Sequence, residues 1–178
     1  MKTFLKLFSW TTLFYCGACA EANDKTAKPT STPKPIVNPS NEPLTKVAKA
    51  GSITLGGGCF WCVEAVYQRI DGITKVTSGY MGGKVPNPTY KQICTGRTGH
   101  AEVVKVEFDP AKLSLEKVLA VFWKAHDPTT LNRQGADVGT QYRSAIFYHN
   151  DADKAVAEKS MQAAGKSGEF RSPIVTEI

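Results

Sequence analysis

Three consecutive glycines, Gly56, Gly57 and Gly58, separate a short apolar run, Ile53–Leu55, from a longer segment that opens at Cys59. Glycine has no Cβ and enters left-handed backbone regions freely, so such a run lets a strand turn sharply into a helix and lets another group approach the backbone closely. The pattern predicts a strand ending at the glycines and a helix from near Cys59 to Ile70, which places the Cys59 thiol at a helix N-terminus. Unpaired N–H groups and the positive end of the helix dipole favour the thiolate there, and the thiolate is the nucleophilic form. A buried structural cysteine after an ordinary glycine turn is the competing reading, and these residues alone leave both open.

Strand-like and helix-like segments alternate after that turn. Strands are predicted at about Lys75–Tyr80, His100–Phe108 and Ser144–His149, with a final one over Pro173–Ile178. A Gly/Pro loop covers Gly82–Pro88 and a short helix falls near Tyr90–Cys94. Ser114 is placed to cap a helix whose Leu115, Val118, Leu119, Phe122 and His126 share a core-facing side, and Asp151 to cap another that runs to about Ala164. The order βαββαβαβ predicts an α/β protein of the two-layer α+β sandwich kind, ferredoxin-like rather than doubly wound.

The region before the domain differs in composition. Lys2 and Lys6 precede the apolar run Leu7–Ala18, which reads as an export leader over residues 1–20 and is too short for a stable membrane-spanning helix. Gly17-Ala18-Cys19 resembles the end of a bacterial lipobox, with Cys19 as the lipidation site, although Cys16 stands where an aliphatic residue is usual; Ala18-Cys19-Ala20 also suits an ordinary leader cleavage. Either reading predicts a bacterial protein exported to the periplasm or anchored as a lipoprotein. Residues 21–50, with Pro29, Pro33, Pro35, Pro39 and Pro43, read as a linker, leaving 51–178 as the domain. Of the net charge of +6, residues 1–50 hold seven Lys against Glu21, Asp24 and Glu42. The domain itself is close to neutral, which argues against nucleic-acid binding.

Cys62 lies within one helical turn of Cys59, close enough to attack a sulfur species formed there and close a disulfide. Packing on the helix and half of a zinc knuckle are its alternatives. Cys94, His100, His126 and His149 supply no second ligand pair at zinc spacing, so no metal is expected. Phe60 and Trp61, between the two thiols, suit either a core or a wall for a methyl-sulfur group, since sulfur contacts aromatic rings favourably. On the strand from His100, the even positions His100, Glu102, Val104, Val106 and Phe108 share a face. Glu102 is thus either a carboxyl on an apolar face, with a raised pKa, or a surface carboxylate paired with a lysine.

The blocks GGGCFWCVE, GYMGG, NPTY, TGHAEVV, FDP and GTQYRS, in this order, resemble the A-type peptide methionine sulfoxide reductases. The resemblance implies attack of a Cys59 thiolate on methionine S-sulfoxide, free or in proteins, release of methionine, and a sulfenic acid on the enzyme. A disulfide then forms and is reduced by a thioredoxin-like protein or a small dithiol, with no bound cofactor. It implies that Glu102 is the acid, and that Tyr90, Asp137 and Tyr142 hold the sulfoxide oxygen and a water. Without the resemblance, the two tyrosines read as core rings and Asp137 as a turn residue. His100 reads as structural, Glu64 as a helix-start carboxylate, and Cys94 as a packed thiol held in reserve for resolution. The chain departs from the family in carrying Cys62 where Gly is common, and it ends at Ile178 where members usually continue through a segment bearing recycling cysteines. The expectation is a C-terminally truncated, monomeric enzyme of oxidative-damage repair in the cell envelope, resolving through Cys62. A general CxxC dithiol oxidoreductase and a non-catalytic tethered lipoprotein are the alternatives.

Overall fold

The computed structural model describes residues 50–178. The leader, Cys19 and all of the linker but its last residue lie outside the described residues. Strand β1 (Gly51–Gly57) leads into helix α1 (Phe60–Tyr67), and β2 (Ile73–Met81) is followed by the short α2 (Tyr90–Ile93) and β3 (Ala101–Phe108). Helix α3 (Leu115–Ala125) precedes a hairpin of β4 (Arg133–Gln134) and β5 (Asp137–Val138), a 3-10 turn at Thr140–Tyr142, β6 (Ser144–Phe147) and α4 (Asp151–Lys166).

The four long strands form one sheet in the order β2-β3-β1-β6, with every neighbouring pair antiparallel. This is the ferredoxin-like two-layer arrangement expected from the alternation. One face of the sheet gives Ile53 and Leu55 of β1, Val104 and Val106 of β3 and Ile146 of β6 to the core, all 1% exposed or less. Helix α1 supplies Phe60, Val63 and Tyr67 to the same core, and α3 supplies Val118, Leu119 and Phe122. The Tyr67 hydroxyl donates to the Val118 carbonyl at 2.9 Å and ties the two helices together, so this buried polar atom keeps a partner. Trp123 Nε1 donates to Ser160 Oγ at 2.7 Å and fixes α4 outside α3.

Four local expectations are corrected. Helix α1 stops at Tyr67, because the chain must turn at Gly72 (φ +92°) to start β2. Asn150, not Asp151, caps α4: its side chain accepts the Asp153 N–H at 2.9 Å, which leaves Asp151 and Asp153 in the first turn where the dipole favours them. Ser114 does occupy the cap position of α3 but makes no side-chain cap bond. The expected final strand is reduced to one parallel bridge between Ala145 and Glu177, where the Ile146 N–H donates to the Glu177 carbonyl at 2.8 Å. The β4–β5 hairpin was not anticipated.

Phe122 is fully buried and packs at a ring-centroid distance of 4.2 Å from His126. Phe122→Ala is expected to destabilise the domain by about 3–5 kcal/mol, read from the urea midpoint.

Candidate active site

Cys59 holds the N-cap position of α1, and its carbonyl accepts the N–H groups of Cys62 at 3.1 Å and Val63 at 3.3 Å. The turn that sets it there passes through Gly58 at φ +90°. A Cβ on Gly58 would stand 2.6 Å from the Gln134 side chain, and one on Gly57 3.3 Å from the His126 ring. At these two glycines the room made by the missing Cβ is thus taken up by the protein's own side chains. The hairpin that carries Gln134 is seated against the turn by that packing.

Glu102 lies on β3, on the same face as Val104 and Val106, and is 2% exposed. Its Oε2 accepts the N–H of Phe60, the residue after Cys59, at 3.1 Å. The carboxyl is therefore not the lysine-paired surface group of the alternative reading. Burial raises its pKa, the Phe60 N–H offsets part of the rise by favouring the anion, and the Asp137 charge adds to it. A hydrogen bond to a charged group contributes about 1.5–3 kcal/mol, whereas desolvating a carboxylate costs several, so burial prevails.

Cys62 is exposed and Cys59 partly so, and both are free thiols. The Cys62 thiol is held above its usual pKa, first by its hydrogen bond to Cys59, then by the Cys59 charge, burial and Asp137.

Four aromatic rings gather beside the thiols. Phe60 is buried, with Trp61 at 5.0 Å, Tyr80 at 5.7 Å and Tyr90 at 6.4 Å between ring centroids, the last nearly parallel. Trp61 is 59% exposed and lies 5.7 Å from Tyr90. Phe60 is therefore a core ring that also joins the cluster, and Trp61 lies open to solvent beside it. Tyr80 was missed by sequence reasoning. The strand register pairs it directly with Glu102, and its hydroxyl is pushed up by burial and then by the Glu102 charge.

Tyr142, on the 3-10 turn, is raised by burial, then by Glu102 and Asp137. Asp137 is exposed on β5, and its charge reaches Glu102, Cys62 and Tyr142, which places it on the same side of the domain as these three. Tyr90 is pushed up to about 12, chiefly by the Cys94 thiol beside it. All eight domain residues proposed from the sequence therefore fall in one region. Cys94 corrects the expectation of a packed thiol: it is exposed at the end of α2, because Ile93 takes the core position of that short helix. His100 is structural as read, its Nδ1 accepting the Gly83 N–H at 3.2 Å and its Nε2 lying 2.8 Å from the Val85 carbonyl. Glu64 lies beyond the first turn of α1 and accepts the Ser78 hydroxyl instead.

A family model described as peptide methionine sulfoxide reductase matches residues 51–178, the whole domain. The chain belongs to the peptide methionine sulfoxide reductase family. It is 54% identical over 143 residues to peptide methionine sulfoxide reductase MsrA 1 of Rhodopirellula baltica, covering 80% of this chain and 71% of that relative. MsrA of Trichodesmium erythraeum is 54% identical over 71% of this chain and 72% of its own. Among solved structures, reduced Mxr1 of Saccharomyces cerevisiae matches with a TM-score of 0.66 at 40% identity, over 74% of this chain and 76% of that one. Methionine sulfoxide reductase A of Corynebacterium diphtheriae matches with a TM-score of 0.63 at 37% identity, over 72% of this chain and 63% of that one. Mxr1 in complex with Trx2 also matches, with a TM-score of 0.51 at 30% identity, over 72% of this chain and 74% of that one. These relatives make the chain an A-type peptide methionine sulfoxide reductase by family, an oxidoreductase.

The raised Glu102 carboxyl has a consequence for stability in this reductase. Its native pKa exceeds the unfolded value of about 4.3, so the folded state holds the proton more tightly and is penalised increasingly as pH rises from there through the native pKa. Glu102→Gln keeps an oxygen for the Phe60 N–H and removes the ionisation. Its melting temperature is expected to exceed that of the parent at pH 8 and to converge on it near pH 4.

Proposed function

We propose that the domain reduces methionine S-sulfoxide, free and in proteins, to methionine. The observation that carries the reading is the buried, upward-shifted Glu102 carboxyl bonded to the first N–H of the helix that Cys59 caps. Cys59 attacks the sulfoxide sulfur as a thiolate while Glu102 delivers a proton to the oxygen, which leaves poorly otherwise. Tyr90, Tyr142 and Asp137 hold that oxygen and a water, and Phe60 and Trp61 face the methyl-sulfur end. The oxygen leaves as water, which leaves the Cys59 sulfur bonded to the methionine sulfur as a sulfonium; water then attacks the Cys59 sulfur, that S–S bond breaks with release of a proton, and methionine and a sulfenic acid on Cys59 result. Cys62 then attacks the sulfenic sulfur, water leaves, and the two sulfurs close a disulfide.

A thioredoxin-like protein or a small dithiol reduces that disulfide; the complex of yeast Mxr1 with Trx2 supports the first. The enzyme works as a monomer without a bound cofactor. The leader and a lipid on Cys19 would place it outside the cytoplasm of a bacterium, where it repairs oxidised envelope proteins. A general dithiol oxidoreductase would share the thiols but has no oxygen to protonate, and Glu102 would then be dispensable.

The test is to incubate the reduced protein with each epimer of N-acetylmethionine sulfoxide and measure methionine. Turnover of the S epimer alone is expected, with none in Cys59→Ser. Glu102→Gln should lower kcat by about 10²–10⁴, and the parent rate should fall as pH rises through the Glu102 pKa. Cys62→Ser should release one methionine per enzyme and leave Cys59 as the sulfenic acid. No turnover of either epimer by folded protein would overturn the proposal, and full activity of Glu102→Gln would remove its acid.

A further inference from the structure

The end of β2 and its connection to β3, residues 79–100, carry Lys84, Lys91 and Arg97 and no aspartate or glutamate. All three basic residues are exposed, and none enters an ion pair among the described residues. The segment also supplies Tyr80 and Tyr90 to the aromatic cluster, so its charge borders the place where a sulfoxide side chain would enter. The opposite sign stands at Asp137 on β5, whose charge reaches Cys62 and Glu102, while Arg133 of β4 donates its Nε–H to the Gly135 carbonyl. The rim of the site is polarised, basic along the β2–β3 connection and acidic at β5.

That connection also walls a surface cavity of about 610 Å³, lined by Tyr80, Lys84, Val85, Pro86, Pro88 and His100. Tyr80 belongs both to the cavity and to the ring cluster around Phe60, so the two spaces adjoin. The cavity wall is fixed in place. His100 holds the loop at Gly83 and Val85, and the Lys84 N–H donates to the Thr98 carbonyl at 3.1 Å. Its two prolines restrict the backbone further.

We propose that this cavity and its basic rim form a subsite for the polypeptide flanking an oxidised methionine, and that it selects chains with aspartate or glutamate beside that methionine. The proposal rests on the sulfoxide reductase reading of the site. Lys84 lines the cavity and is not part of the aromatic cluster, so the preference belongs to peptide substrates, whose flanking residues extend past the cluster. Exposed ion pairs contribute little singly and are screened by salt, which sets both the size of the effect and its signature.

The experiment compares kcat/KM for pentapeptides with methionine S-sulfoxide at the centre and aspartate, serine or lysine on both sides, with N-acetylmethionine sulfoxide as a reference in each variant. At low salt the aspartate peptide is expected to exceed the lysine peptide by about three- to tenfold, and the ratio to approach one in about 0.5 M salt. Charge reversal in Lys84→Glu with Lys91→Glu should invert the ratio, and Lys84→Arg should keep it. If the double variant does not fold, single Lys84→Glu must still lower the ratio. Equal rates for the charged peptides, or a ratio indifferent to charge reversal, would overturn the subsite while turnover of the reference upholds the reductase. Failure on every substrate, the reference included, would overturn both.

Discussion

The Phe60 N–H and the Glu102 carboxyl meet at 3.1 Å across α1 and β3, and much of the site is arranged around that contact. A helix N-terminus has unpaired N–H groups that must be satisfied, and here one of them is met by an acid drawn from the sheet rather than by a capping side chain. The contact ties the start of α1, and with it the turn that carries Cys59, to β3. It also brings two opposing influences onto one carboxyl. The N–H favours the anion, burial favours the acid, and burial prevails.

The surrounding groups make sense relative to that pair. Tyr80 lies opposite Glu102 in the strand register, and its ring carries the aromatic cluster from Phe60 outward to the surface. Asp137 adds negative charge from the hairpin, which further disfavours ionisation of Glu102 and Cys62. The hairpin is held there by Gln134 packing where Gly58 has no side chain. The same glycine turn thus sets the helix start and seats the element that carries Asp137.

Features governed by local periodicity were legible in the sequence. The glycine run marks a strand-to-helix turn because its last member, Gly58, adopts a φ of +90° that side-chain-bearing residues rarely take, and alternation along β3 puts Glu102 among apolar residues. The two-layer fold class followed from the alternation of elements. Tyr80 was not legible, because its nearness to Glu102 depends on the pairing of β2 with β3 rather than on either strand alone. The β4–β5 hairpin has strands of two residues each, too short for any alternation to register. Cys94 was misread since a four-residue helix buries one side chain, and Ile93 is that one. The roles of Tyr90, Asp137 and Tyr142 came from family resemblance, and their convergence from distant segments is a property of the fold.

A carboxyl whose pKa is raised by burial, bonded to the first N–H of the helix that Cys59 caps, is the centre of this account, and its titration is directly measurable. Carbon-13 NMR of the reduced protein labelled at glutamate side chains, with Glu102 assigned by its loss in Glu102→Gln, gives the pKa of this one group. A midpoint above the ordinary glutamate value of about 4.3 is expected. A midpoint at or below that value would mean that the Phe60 N–H outweighs burial and would contradict the account.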